Sequence, residues 1–448
     1  MFELVDLFIV VLFGVIALAL SFWFPFAFVT LIIFLNERFF GIFPYQFGDY
    51  DLIRGLCGPV LLFIAIIIQF VFRWRYFRSG VKNTEASYLS VVFAIVGVVV
   101  FSTIWGGLYV FNQSLRTLIF QPAVFFYYSI YLYLCFFCPS KKQILRFLKF
   151  IVIISLILVV LMCLDALIFQ HPHLLKYANV SERVGLVRIV VFVTGFIWAY
   201  YYCLASVFEE KYPTRLKIMF GFAALSLLVA INFILIDRQV MLSCFVTTVI
   251  VAWSMSFIKK SVIICVSSAI ILFIIANSGS LYQNSFLENM QKLTVAEITT
   301  KNSSVGIRLK AIEFYYSHYK STYGIGFGVL GSRHEYHNPV SMGLEKGYNL
   351  NDISLAGIIF RFGIPGLIVI IFTIRKMFRD TKIILQTKDP NIRSMIRGIR
   401  YTTTHMVIIF PLTTFLFYSE KAVYFATMFF IIERLRNIVS EEIVALEA

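Results

Sequence analysis

The sequence predicts an all-α polytopic transmembrane bundle of about twelve helices carrying one long, partly helical external loop, and three observations predict it. The 448 residues are 60% hydrophobic and only 14% charged, whereas soluble domains carry roughly a quarter charged residues. Apolar runs recur along the whole length, and about 20 such residues cross about 30 Å of hydrocarbon. One long polar stretch, 277–352, interrupts them. Helices, unlike open sheets, satisfy their own backbone groups in lipid.

The crossings follow in order. Residues 7–35 are nearly uninterrupted and apolar with Pro25 inside, so they form one long tilted helix or two short ones; two crossings there would make thirteen and reverse the N-terminus. Further spans fit 57–72, 87–110, 119–137, 144–164, 186–207, 218–236, 240–257, 262–276, 353–374, 401–417 and 422–432. The opening residues lack the basic region of a cleavable signal, so the first crossing is expected to serve as the targeting signal. The chain divides into a first membrane part, 1–277, a loop, 278–352, and a last membrane part, 353–448.

The net charge of +15 would raise the question of nucleic acid in a soluble protein. Here Lys and Arg collect in alternate short connectors, at 73–82, 141–149, 211–217, 259–260, 375–400 and 434–436. Short cytoplasmic loops collect these residues, so the basic connectors read as cytoplasmic and the opposite set, the long loop included, as external. The spans hold no run of carboxylates of the kind that marks ion-coupled carriers. The seven cysteines all lie in or beside apolar segments, so neither a disulfide framework nor a metal cluster is expected in the loop.

On the external face stand Arg183, Arg188, Arg238, Arg308 and Arg333, with Asp237, His337 and Asp352 as acid–base candidates. A guanidinium presents a planar fork of donors that matches phosphate oxygens, so several converging on one face point to a phosphate or pyrophosphate ligand. Each has a plainer reading. Arg188 snorkels from a helix end, Arg238 pairs with Asp237, and Arg308 sits on the solvated face of a loop helix around 307–316. Asp352 caps the helix that follows it, and His337 is a solvated loop residue. Arg361, inside a span, is expected to line the protein interior. The spacing of His334 and His337, with Glu335 between them, mimics a metal site, but no third supporting ligand lies nearby, so no metal is expected.

The order Gly306-Ile307-Arg308, Gly324-Ile325-Gly326-Phe327-Gly328, a polar loop, Asn351-Asp352-Ile353-Ser354-Leu355, then Phe362-Gly363-Ile364-Pro365-Gly366-Leu367 resembles the O-antigen polymerases (Wzy type) and their relatives the O-antigen ligases (WaaL type). Arg183-Val184-Gly185-Leu186-Val187-Arg188 resembles the arginine-bearing segment of the family's earlier periplasmic loop. The ligases open the helix after the long loop with a His-Asn pair. Here the pair is Asn351-Asp352, and His337-Asn338 lies well upstream, which favours polymerase over ligase.

The resemblance implies a GT-C-like bundle in the bacterial inner membrane with its active face periplasmic. It implies a metal-independent glycosyltransferase without cofactor that moves glycan from undecaprenyl pyrophosphate to a second carrier-linked repeat unit, with a chain-length regulator as a further partner. Arg183, Arg188, Arg238 and Arg308 would hold the pyrophosphate, and Asp352 or His337 would activate the acceptor. The alternatives are a ligase to lipid A-core, a lipid-linked oligosaccharide flippase, which should show pseudo-symmetric halves and charged spans, and a membrane O-acyltransferase, which would want a buried histidine. His405 is the one histidine within a span and reads as lying toward its cytoplasmic end.

Overall fold

The computed structural model describes residues 4–37, 58–80, 87–114, 118, 121–137, 139–165, 174–175, 179–183, 186–190, 193–233, 238–253, 304–330, 337–409, 416–417 and 419–447. The expected crossing at 262–276, together with Asp237, Arg333, His334 and Glu335, lies outside them.

The first apolar run is two helices, α1 (Leu4–Trp23) and α2 (Pro25–Asn36). Proline has no N–H to offer the carbonyl four residues back, and the residue before it is pushed out of the helical region, as Phe24 is at φ −128° and ψ 76°. The carbonyl left over, that of Ser21, accepts from Gln69 Nε2 at 3.0 Å and from the Tyr133 hydroxyl at 2.7 Å. The next, that of Phe22, accepts from the Arg73 guanidinium at 3.0 Å. A break in one helix is thereby sealed by side chains of two others.

Helix α3 (Gly58–Gly80) bends at Arg73. Helix α4 (Leu89–Thr103) widens into a π-helical turn, Ile104–Val110. The run expected to cross at 119–137 is instead a 3₁₀ stretch, Gln121–Ser129, followed by the short α5 (Ile130–Cys135). Packing overrides the apolar pattern there: Tyr127 and Tyr128 are fully buried, and the Tyr128 hydroxyl donates to the Leu416 carbonyl at 2.6 Å.

Helix α6 (Lys141–Cys163) starts at a capping box in which Ser140 and Gln143 satisfy each other's backbone amides. A second departure follows. Strands β1 (Asn179–Arg183) and β2 (Leu186–Val190) pair as an antiparallel ribbon, so the span expected from residue 186 begins only with α7 (Val193–Val207). The reason lies in residue type, because Val and Ile crowd a helix and suit a strand. Among the described residues the fold is therefore a helical bundle with one small ribbon.

Every residue of α7 from Thr194 to Ser206 is buried, and α6, α8 (Thr214–Phe233) and α13 (Pro390–Ile409) pack around it. Beyond lie α9 (Arg238–Trp253), α10 (Ser304–Tyr319), α11 (Pro339–Glu345), α12 (Ser354–Ile384) and α14 (Ser419–Glu447). Among the described residues four helices are long and apolar enough to cross a membrane: Leu89–Val110, Lys141–Cys163, Thr214–Ile231 and Ser354–Ile384. The outward faces of these helices carry Phe101, Ile157, Phe222 and Phe372, each at least half exposed, as a lipid-facing surface should.

The far end of α12 is tied down by charge. Asp380 is completely buried and meets Lys376 at 3.4 Å, Arg379 at 3.1 Å and Arg436 of α14 at 2.8 Å. Glu433 accepts from the Tyr88 amide at 2.8 Å and the Tyr131 hydroxyl at 2.5 Å. Buried charges persist only when paired and hydrogen-bonded, so this knot fixes α4, α5, α12 and α14 together.

Candidate functional site

The polar loop builds a small core of its own, with Ala311 and Tyr315 of α10, Phe327, Leu330, Val340, Leu350, Ile353 and Phe360. The expected loop helix is α10, with Leu309 and Tyr316 outward and Ala311 and Tyr315 inward. What docks this unit onto the bundle is the glycine cluster.

Helix α12 breaks at Gly363, which takes φ +60° and ψ −159°, and Pro365 follows. Proline 365 cannot donate to the Arg361 carbonyl, its normal partner four residues back. That carbonyl accepts instead from the Gly328 amide at 2.6 Å. The Phe360 carbonyl accepts from the Phe327 amide at 3.0 Å, and the Ile364 amide donates to the Gly324 carbonyl at 3.2 Å. The glycine segment thus supplies from outside the bonds that the broken helix has lost. Irregular backbone is tolerated at membrane depth where it is buried in protein.

Helix α4 closes the other side. Ser102 Oγ donates to the Ile325 carbonyl at 3.2 Å, Thr103 Oγ accepts from the Val329 amide at 3.0 Å, and Trp105 Nε1 donates to the Thr322 carbonyl at 3.1 Å. Two glycines are required by this fit. Gly326 has φ +92° and a Cβ there would overlap the Arg361 carbonyl; Gly328 has φ +68° and would overlap the Thr103 backbone. We expect Gly326→Val to cost about 2–4 kcal/mol from backbone strain plus overpacking. A drop in thermal midpoint, with new protease cleavage in the long loop, checks it; an unchanged midpoint contradicts the wedge.

Above this wedge the loop returns to α12 through a 3₁₀ turn, Leu350–Ile353, which holds Asp352. The expected capping role does not hold. Helix α12 starts at Ser354, its N-cap position is Ile353, and no side chain caps it. Asp352 therefore keeps its carboxyl for other work. Asp352 is exposed at the surface, yet partial desolvation of its carboxyl pushes it above the usual carboxylate range, and the Arg308 guanidinium on α10 opposes the rise. The two residues predicted to act on acceptor and pyrophosphate are thereby brought within electrostatic reach across 44 positions of sequence.

Arg361 is half-buried, as expected of an interior-facing charge. Its charge reaches Tyr315, whose hydroxyl burial pushes up to about 12 despite that cation, and which donates to the Tyr348 carbonyl at 2.9 Å. His337 is exposed, with φ +43°. Its neighbour Asn338 is completely buried, caps α11 through the Val340 and Ser341 amides and reaches Gln113 at 3.3 Å. Among the described residues no contact joins His337 to Arg308 or Asp352.

The remaining arginines are placed by backbone alone. Arg183 ends β1 and Arg188 lies within β2, where Arg183 pairs with Leu186 and Ser181 with Arg188. Arg238 opens α9. The ribbon brings Arg183 and Arg188 to adjacent places.

A second polar cluster escaped sequence reasoning. His405 is completely buried, with Nδ1 3.2 Å from the Tyr201 hydroxyl and Nε2 3.3 Å from Ser243 Oγ. Ser243 lies five residues inside the Arg238 end of α9, so His405 sits near that end of α9. Among the described residues no group of three His, Cys, Asp or Glu side chains could hold a metal ion. A scan against protein-family models finds no match to this chain, and a search of curated proteins finds none.

Proposed function

We propose that this chain is a membrane glycosyltransferase that polymerises undecaprenyl-pyrophosphate-linked oligosaccharide repeat units into O-antigen or a related surface polysaccharide. In this reading about twelve helices cross the inner membrane and the wedge and its loop face the periplasm. The observation that supports it is a polar loop locked into a broken helix by the glycine segment, carrying Arg308 on α10 and an Asp352 that makes no capping bond to α12.

The chemistry asks for a base and for cations. The acceptor hydroxyl attacks the anomeric carbon of the donor glycan, and Asp352 takes the hydroxyl proton. The bond from that carbon to the pyrophosphate oxygen breaks, and its electron pair leaves with the diphosphate. Charge therefore grows on the leaving group, and Arg308, joined by Arg183, Arg188 and Arg238, neutralises it. Preorganised cations in a partly desolvated site lower such a barrier without a metal. A carboxylate within reach of the hydroxyl contributes typically 10²- to 10⁴-fold. The lipid tail rests against the exposed Phe and Ile of the outer helix faces.

Expression of the chain in a polymerase-deleted bacterium tests the reading. We expect a ladder of surface glycan with one repeat unit between steps. Glycan capped at a single repeat on lipid A-core contradicts polymerisation, and loss of all lipid-linked glycan from the periplasm points to a flippase. In the same strain, His337→Ala should retain far more extension than Asp352→Asn, and the reverse order moves the base to His337.

A further inference from the structure

The two helices that begin at the basic end of the bundle, α6 and α8, are neighbours, and the start of α6 and the connector before α8 are gathered on the link between α12 and α13 and the start of α13. Lys141 is paired with Asp389, Lys211 donates to the Lys388 carbonyl at 3.1 Å, and the Tyr212 hydroxyl donates to Asn391 Oδ1 at 2.9 Å. Nearby acids are engaged: Asp389 by Lys141, and the buried Glu209 by Arg393 and Arg397. Glu210 stays at the surface.

What then faces outward is cationic. Lys142, Arg146 and Lys149 of α6 and Arg215 of α8 are exposed. The spacing 142, 146, 149, 153, 157, 160 follows one face of an α-helix, since residues three and four apart are neighbours. Past Lys149 that face turns apolar, with Phe150 41%, Ile153 54%, Ile157 54% and Val160 57% exposed. Helix α8 repeats the change: below Arg215 come Ile218, Met219 and Phe222, 54%, 60% and 69% exposed. Ten helical steps from Phe150 to Val160 span about 15 Å at about 1.5 Å each, which is one leaflet's share of a hydrocarbon core of about 30 Å.

Retention of Lys and Arg in a cytoplasmic loop requires only that they lie near the helix ends. It does not require their alignment, on two adjacent helices, with a lipid-deep apolar strip. We propose that this seam between α6 and α8 binds an anionic phospholipid, its phosphate held by Lys142, Arg146, Lys149 and Arg215 and its acyl chains laid along the exposed strip. Basic pockets between membrane helices recognise such headgroups, and each basic side chain near the surface contributes about a fivefold gain in affinity. The site is independent of the glycosyl-transfer reading, because it requires only that the helices lie in a bilayer.

The full chain reconstituted in phosphatidylcholine nanodiscs doped with about one-tenth phosphatidylglycerol, then gently extracted and analysed for co-purifying lipid, tests this. The ratio of phosphatidylglycerol to phosphatidylcholine in the retained lipid should exceed the bulk ratio at least tenfold. The K142Q/R146Q/K149Q/R215Q variant should return to the bulk ratio, while R146K/R215K keeps the enrichment. R375Q/K382Q, which removes two exposed charges from α12, should also keep it. A bulk ratio in the wild-type protein, or enrichment unchanged in the quadruple variant, overturns the site. Equal loss in R375Q/K382Q overturns it too, by reducing the effect to net charge. Should the quadruple variant misfold, R146Q/R215Q serves, with a loss of enrichment expected and unchanged enrichment again contradicting the site.

Discussion

Arg308→Ala is expected to lower chain extension by about 10²- to 10³-fold, the usual consequence of removing one preorganised donor from a developing anion. The residue is half-buried on α10, the helix whose inward face forms the loop core with Ala311 and Tyr315, so its own removal leaves that core intact and the protein inserted. Arg308→Lys keeps the charge but loses the planar fork that matches phosphate oxygens, and an intermediate rate is expected. Electrophoresis of surface glycan reads both. Full-length ladders from Arg308→Ala at normal protein level remove this arginine from the mechanism.

A pH profile sharpens the test. The carboxyl of Asp352 sits above the usual range because partial desolvation outweighs the opposing Arg308. A base must be deprotonated, so the rate falls as pH drops through its pKa. Loss of Arg308 removes the downward influence, the pKa rises further, and the acid limb of the residual activity of Arg308→Ala moves to higher pH. An acid limb that stays in place contradicts the coupling of the two groups.

Asp352→Asn carries the second large effect, about 10²- to 10⁴-fold in chain extension, the contribution expected of a positioned general base. Stability should scarcely change, because the amide fills the same space and Asp352 makes no capping bond to α12. A thermal midpoint that falls together with activity contradicts this and returns Asp352 to a structural role. Unchanged activity in both Asp352→Asn and His337→Ala removes the acid–base assignment altogether.

Part of this arrangement was legible in the chain. Apolar runs predicted helices where α4, α6, α8 and α12 lie, and the odd concentration of glycine at 324–328 and at 363–366 marked two irregular places. Their mutual fit was not legible, because it depends on a bond count: Pro365 orphans the Arg361 carbonyl, and the segment that satisfies it lies 33 residues upstream at Gly328. Pro25 poses the same problem, and Gln69 and Tyr133 answer it from afar. Tertiary partners of this kind leave no local pattern.

The missed ribbon is different, since a signal existed. The stretch Leu186–Val190 is rich in β-branched residues and follows a two-residue link ending in Gly185, a spacing that favours a hairpin, yet the apolar length from 186 onward resembled a span. Asp352 misled in the opposite direction. Its position one or two residues before an apolar run is that of a cap, but the 3₁₀ turn at Leu350–Ile353 moves the helix start to Ser354. The legible fact was the polar pair; the consequence of that turn, a carboxyl left without a capping bond to α12, was not.

The most direct measurement is reconstitution of the purified chain in proteoliposomes with one chemically defined undecaprenyl-pyrophosphate-linked repeat unit and a metal chelator. The account predicts a ladder of lipid-linked oligomers, one undecaprenyl pyrophosphate released for each linkage formed, and loss of both products in Asp352→Asn. Release of undecaprenyl pyrophosphate with no oligomer, or no turnover of the lipid-linked unit by protein whose thermal midpoint shows it folded, contradicts it.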